Sequence, residues 1–110
     1  QHYDAHKEKP FFEGLVKFMT TSPVVVMSVR GNDAIQICRN MMGATFGSKA
    51  DPGTIRGDWG VSNSFNLIHG SDSPEAAAKE TGLFFSEGEI LDWTSANECW
   101  VYDLAGDEPE

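Results

Sequence analysis

In the stretch NLIHGSDSPEAAAKE, residues 66–80, a histidine closes a short apolar run just before a helix start. Imidazole is a competent nucleophile near neutral pH, because its unperturbed pKa is about 6.5. One ring nitrogen of His69 must be free to attack, and the other needs an acceptor that fixes the tautomer. Glu80, two turns into the following helix, is a candidate for that acceptor. The Gly70, Ser71, Asp72 turn leads onto a helix N-terminus, where free backbone N–H groups favour an anion. Phosphoryl transfer through His69 is the chemistry these residues could carry, and a polar residue at a strand end is the plainer alternative. Arginine is scarce, with Arg30, Arg39 and Arg56 alone, so a cleft holding two of them would stand out as an anion site. His2 and His6 form an i, i+4 pair without further ligands and read as surface residues. Cys38 and Cys99 lack CxxC or Cys/His spacing and read as free thiols.

These groups need elements to hold them. Phe11, Leu15 and Met19, flanked by Phe12 and Val16, have helical spacing for one buried face, with Pro10 at the helix start. TTSP breaks that helix, and the β-branched run from Val24 to Val29 predicts a central strand covered on both faces. Asn32 or Asp33 can cap a helix AIQICRNMM that Gly43 ends. Residues 44–65 are crowded with Gly, Ser, Asp and Pro and read as one long irregular loop. Residues 66–71 alternate as a short strand, and Asp72 or Ser73 caps a helix with Pro74 in its first turn. FFSEGEILDW reads as a turn with apolar flanks, and WVYDL as an extended segment.

With 110 residues, 40% of them hydrophobic, the chain fits one small domain. Eight basic against seventeen acidic side chains give a net charge of −9, which disfavours nucleic acid and anionic membranes. No apolar run approaches a membrane span, so a soluble protein of the cytoplasm is expected.

PGTIRGDWG followed by NLIHGSDS closely resembles the signature of nucleoside diphosphate kinases. HY at residues 2 and 3, KPFFEGLVKFM at 9–19, SPVVVMSVRG at 22–31, CRNMMGAT at 38–45, and DW with WVYD near the end match in order. The resemblance implies an α+β, ferredoxin-like antiparallel sheet with helices on it, spanning residues 1–103 and followed by an acidic tail, 104–110. It also implies transfer of the terminal phosphate between nucleoside triphosphates and diphosphates, by a ping-pong mechanism through a phosphohistidine on His69. Glu80 would orient the imidazole, with Ser71 hydrogen-bonding near the ring. Tyr3, Arg39, Thr45 and Arg56 would contact the phosphates, Phe11 would stack on the base and Asn66 would hold a ribose hydroxyl. Magnesium would arrive on the nucleotide phosphates, and relatives are commonly tetramers or hexamers. From the residues alone, Phe11 could equally be core, Arg39 could complement a helix dipole, Arg56 could pair with Asp58, and Thr45 and Ser71 could be ordinary turn residues.

Members of that family carry a strand, a helix and a second strand before the HY segment, with a lysine in a Lys-Pro-Asp motif that contacts the phosphates. The sequence starts at Gln1, just before HY, and is expected to be an incomplete record of a longer protein. Neither Lys7 nor Lys9 stands in such a motif. Were the segment absent, a catalytically impaired nucleotide-binding or scaffolding member of the family would be the alternative. Phe46 and Gly47 stand where many relatives have a proline after the threonine, and Ser64 and Phe65 where Gly and Arg are common.

Overall fold

The computed structural model describes His2 and residues 10–106. The first helix, α1, spans Phe12–Met19, one residue later than its apolar spacing predicts, with Phe11 at its cap. Thr20 and Thr21 end it, because their hydroxyls donate back to the carbonyls of Val16 and Lys17, each at 2.7 Å. Phe12, Leu15, Phe18 and Met19 are half-buried, whereas Phe11 and Val16 are exposed, so Phe11 is not a core residue here.

α2 spans Ala34–Met42. Asp33 does occupy its N-cap but in a left-handed conformation, φ 53°, and its side chain accepts no capping hydrogen bond. Gly43 ends α2 as its sequence position predicts, with φ 84°. It is also a close-approach site: a Cβ there would lie 2.7 Å from the Thr54 Cβ.

The stretch 44–65 corrects the expectation of a structureless loop. It contains a 3₁₀ turn over Gly47–Lys49 and a short helix, α3, over Ile55–Trp59. Thr54 organises α3, since its Oγ1 accepts the Gly57 N–H at 3.0 Å and donates to the Asp51 carbonyl at 2.6 Å. α4 spans Pro74–Phe84, and the capping residue is Ser73, whose Oγ accepts the Ala76 N–H at 3.1 Å. The turn after α4 forms over residues 87–89, with Gly88 at φ 85°. α5, Glu98–Val101, takes up Trp100 and Val101, the first two residues of the segment read as extended. No helix is long and apolar enough to cross a membrane.

Neither expected strand forms among the described residues, which contain no strand pairing at all. Val24, Val25 and Val29 are 59%, 87% and 59% exposed, so the run is not a buried central strand in this chain. A β-branched run becomes a strand only beside a partner that takes its backbone N–H and C=O groups, and the described residues place none there. Residues 66–71 fail for a local reason as well. Leu67 has φ 70°, and the Ile68 N–H closes a tight turn onto the Asn66 carbonyl at 2.8 Å.

The buried centre is correspondingly small: Met42 at the end of α2, Gly47 in the 3₁₀ turn and Arg56 in α3. It lies where α2, the 3₁₀ turn and α3 meet the segment that precedes His69. A Cβ on Gly70 would come within 2.8 Å of the Met42 sulfur, so this glycine lets the histidine segment cross the end of α2.

Candidate active site

The site is built on α4 and the segment before it. Ser73 caps α4 and Pro74 starts it, which places Glu80 on the helix face turned back toward residues 69–71. The Glu80 Oε1 accepts a hydrogen bond from His69 Nε2, and its Oε2 accepts one from the Ser71 hydroxyl at 2.7 Å. A carboxylate can only accept, so His69 carries its proton on Nε2 and its Nδ1 lone pair is left for chemistry. Burial alone would raise the Glu80 pKa. The hydrogen bonds from Ser71 and His69, with the charges of His69 and His2, outweigh it and hold the carboxyl below its ordinary range. The His69 ring is 52% exposed and can meet a substrate from solvent, whereas Glu80 is 17% exposed.

Arg56 supports this centre from beneath. It is 6% exposed. Its Nη1 donates to the Gly43 carbonyl and its Nε to the Asn66 carbonyl, both at 3.1 Å, and its Nη2 donates to the Ile68 carbonyl. The guanidinium thus straddles Leu67, the left-handed residue two before His69, and ties that turn to the end of α2. Asp58 does not pair with Arg56, because its Oδ1 accepts the Gly53 N–H at 2.8 Å. Burial first, and the nearby charge of Arg39 second, lower the Arg56 pKa. Two neighbouring guanidiniums that repel one another make a place an anion relieves.

Arg39 donates weakly to the Gly70 carbonyl at 3.5 Å, beside His69. It also lines a cavity of about 370 Å³ with Asn40, Lys49, Asp51 and Thr54. Arg30 is not part of the arrangement and lies 3.9 Å from the exposed Asp92 carboxylate. A second cavity, of about 290 Å³, opens at His69 and is lined by His2, Asp72, Lys79 and Glu80 among others.

Of the residues singled out in the sequence, His69, Glu80 and Ser71 form one hydrogen-bonded cluster, and Arg39, Arg56 and Asn66 adjoin it. Asn66 reaches the cluster through its backbone carbonyl. Thr45 is exposed beyond the end of α2, and Phe11 is 53% exposed at the start of α1. Tyr3 lies outside the described residues, as do His6 and the end of the acidic tail. Cys38 and Cys99 are free thiols.

Two residues were missed. His2 is not a surface residue: it is half-buried, its ring meets that of His69 edge-on at 4.9 Å, and its Nδ1 lies 3.8 Å from Glu80 Oε1. Its one signal in the sequence was its place beside Tyr3 in a segment that the family resemblance already assigned to the phosphates. Lys49 adds a cation to the cavity of Arg39, and no pattern in its loop announced it.

The family model of nucleoside diphosphate kinase matches residues 1–90. The chain is 50% identical over 102 residues to a nucleoside diphosphate kinase of Archaeoglobus fulgidus, an alignment covering 93% of this chain and 68% of the relative. It is 53% identical over 102 residues to one of Carboxydothermus hydrogenoformans, again covering 93% and 68%. Among solved structures, a halophilic nucleoside diphosphate kinase of Halobacterium salinarum in complex with CDP is similar at a TM-score of 0.87 and 48% identity, over 93% of this chain and 68% of that one. A family protein of Babesia bovis gives a TM-score of 0.87 at 43% identity, over 93% and 69%. This likeness implies the α+β fold of those proteins, though no strand is paired among the described residues. A family match over most of the chain, close identity to kinases of that name and a shared fold together show that the chain belongs to the nucleoside diphosphate kinase family of phosphotransferases.

Proposed function

We propose that the chain carries out the family's reaction through a phosphohistidine on His69, within the ferredoxin-like fold of the family. The observation that carries this reading is the Ser71–Glu80–His69 chain of hydrogen bonds, which leaves Nδ1 unprotonated. The Nδ1 lone pair attacks the terminal phosphorus of a nucleoside triphosphate. A bond from nitrogen to phosphorus forms, the bond to the bridging oxygen breaks, and the nucleoside diphosphate leaves with that electron pair. Positive charge that grows on the imidazole is balanced by Glu80, to which Nε2–H stays hydrogen-bonded. A second nucleoside diphosphate reverses these steps and takes the phosphoryl group.

Phosphoryl transfer asks mainly for alignment and compensating positive charge. Arg39, with any N–H groups of Arg56 not spent on carbonyls, supplies cations beside His69, and Thr45 and Tyr3 complete the phosphate contacts in this reading. Phe11, exposed at the start of α1, offers a face for the base, and stacking without edge recognition tolerates many bases. Magnesium would arrive as part of the substrate, where it would offset the charge of the phosphates. The donor set at His69, two imidazoles and one carboxylate, is not the all-oxygen set magnesium prefers. A cytoplasmic homo-oligomer is part of the same proposal, and sedimentation of the full-length protein tests the assembly.

The decisive experiment incubates the full-length protein with γ-labelled nucleoside triphosphate and magnesium. The expected product is an acid-labile, base-stable phosphoprotein that a nucleoside diphosphate chases into triphosphate. Equal labelling of His69→Ala would overturn the assignment.

A further inference from the structure

We infer that His2, His69 and Glu80 form a zinc site whose occupation switches the nucleophile off. Their donor atoms, one from each residue, all lie within 4.8 Å of one another. His2 Nδ1 already stands 3.8 Å from Glu80 Oε1, and His69 Nε2 is hydrogen-bonded to the same oxygen. Around tetrahedral zinc, with metal–ligand distances of about 2.0–2.2 Å, neighbouring donors are roughly 3.4 Å apart. Small side-chain rotations, opening the His69–Glu80 contact and drawing His2 inward, therefore bring the set to zinc geometry. Two imidazoles and one carboxylate, with a fourth position open to the cavity, are a donor set that zinc takes and magnesium does not.

The surroundings favour a cation. Asp72 lines the same cavity, and among the described residues Lys79 is the one lysine or arginine lining it. The His2 ring is braced against Phe84 at 5.5 Å between centroids, and against His69 at 4.9 Å.

The consequence follows from the tautomer. In the active arrangement His69 keeps its proton on Nε2 and attacks through Nδ1. Zinc takes the Nε2 lone pair, so the ring proton moves to Nδ1, and Nδ1 then has no lone pair for phosphorus. Glu80 is withdrawn to the metal in the same event and no longer balances charge on the ring. Zinc-bound protein is therefore unable to accept a phosphoryl group, and a chelator restores it.

The test uses the full-length protein without nucleotide or magnesium, so its outcome is independent of whether His69 is the phosphorylated residue. Zinc is titrated against a chromophoric chelator. One zinc per chain is expected, weakened at least tenfold in His2→Ala and in Glu80→Gln and retained in a Cys38→Ser, Cys99→Ser double variant. His2→Gln, which keeps the polar bulk, guards against loss of fold, with circular dichroism as its check. In nitrogen NMR, zinc should move the His69 proton from Nε2 to Nδ1. Unchanged zinc affinity in His2→Ala, loss of zinc in the cysteine variant, or an unaltered His69 tautomer would each overturn the inference.

Discussion

Replacing Arg56 by lysine separates two roles that one guanidinium could fill. If Arg56 only supplied charge to a phosphate, lysine would keep that charge and the fold would barely notice. The structure instead gives it three backbone acceptors, at Gly43, Asn66 and Ile68, with 6% of the residue exposed. A lysine ammonium at the end of a flexible stem cannot reproduce that planar fork. Two of the carbonyls are expected to lose their partner. A hydrogen bond to a charged group contributes about 1.5–3 kcal/mol, and water entering the site recovers part of it, so a loss of roughly 2–4 kcal/mol follows. The left-handed turn at Leu67 adds to the effect, because such a conformation costs about 1–2 kcal/mol for a residue with a side chain and persists only where its surroundings hold it. Released, the turn relaxes and carries His69 away from Glu80. Urea unfolding of the full-length protein measures the first effect, and single-turnover phosphorylation of His69 the second. A destabilisation under about 1 kcal/mol with phosphorylation near the wild-type rate would refute the clamp and leave Arg56 as a charge alone.

Other expectations test the remaining parts of the site. Glu80→Gln keeps an acceptor for the His69 Nε2–H, and its amide N–H can donate to the Ser71 hydroxyl instead of accepting from it, but it removes the charge that balances the imidazole, so phosphorylation should slow by roughly 10- to 100-fold, the kinetic equivalent of about 1.4–2.7 kcal/mol, in stopped-flow single turnovers. Because the Glu80 pKa is lowered in the folded state, its contribution to stability is full above its ordinary value of 4.5 and disappears as pH falls through the depressed one. Thermal melts from neutral pH to pH 3 should accordingly show an acid loss that is smaller in Glu80→Gln. Gly70→Ala drives a methyl to within 2.8 Å of the Met42 sulfur and should cost about 1–3 kcal/mol by overpacking, read as a lower denaturation midpoint. Phe65 stacks on Phe18 of α1 at 4.4 Å. Phe65→Ala should free α1, and with it Phe11, and raise the nucleotide KM more than it lowers kcat; an unchanged KM would show that the stack does not position the base site.

Local signals carried far in this chain where one residue type has one physical use. Serine before proline capped α4, glycine ended α2, and threonines closed α1. Each of these is decided by a hydrogen bond or a backbone angle within four residues, so the string alone contains it. Glu80, two turns into that capped helix, was a candidate partner of His69, and the family resemblance assigned it that role. The chemistry of His69 was legible in this way, and the family resemblance supplied the reaction.

The strands failed because pairing is not local. The valine run from Val24 to Val29 states that it suits a sheet, but only a neighbouring backbone can make it one. α3, hidden in a glycine-rich stretch, depended on Thr54 finding both the Gly57 N–H and the Asp51 carbonyl. The resemblance implies a phosphate contact for Arg56, whereas its burial and its three carbonyl partners come from segments that meet only in the folded chain. His2 shows the same limit most plainly. Its sequence neighbours make it a surface residue, and only tertiary packing brings its ring against His69 and its nitrogen toward Glu80. The sequence by itself therefore placed the candidate nucleophile, its carboxylate and the helix that holds them within one short span. The fold decided which charges and imidazoles surround that nucleophile, because those contacts join residues far apart in the chain.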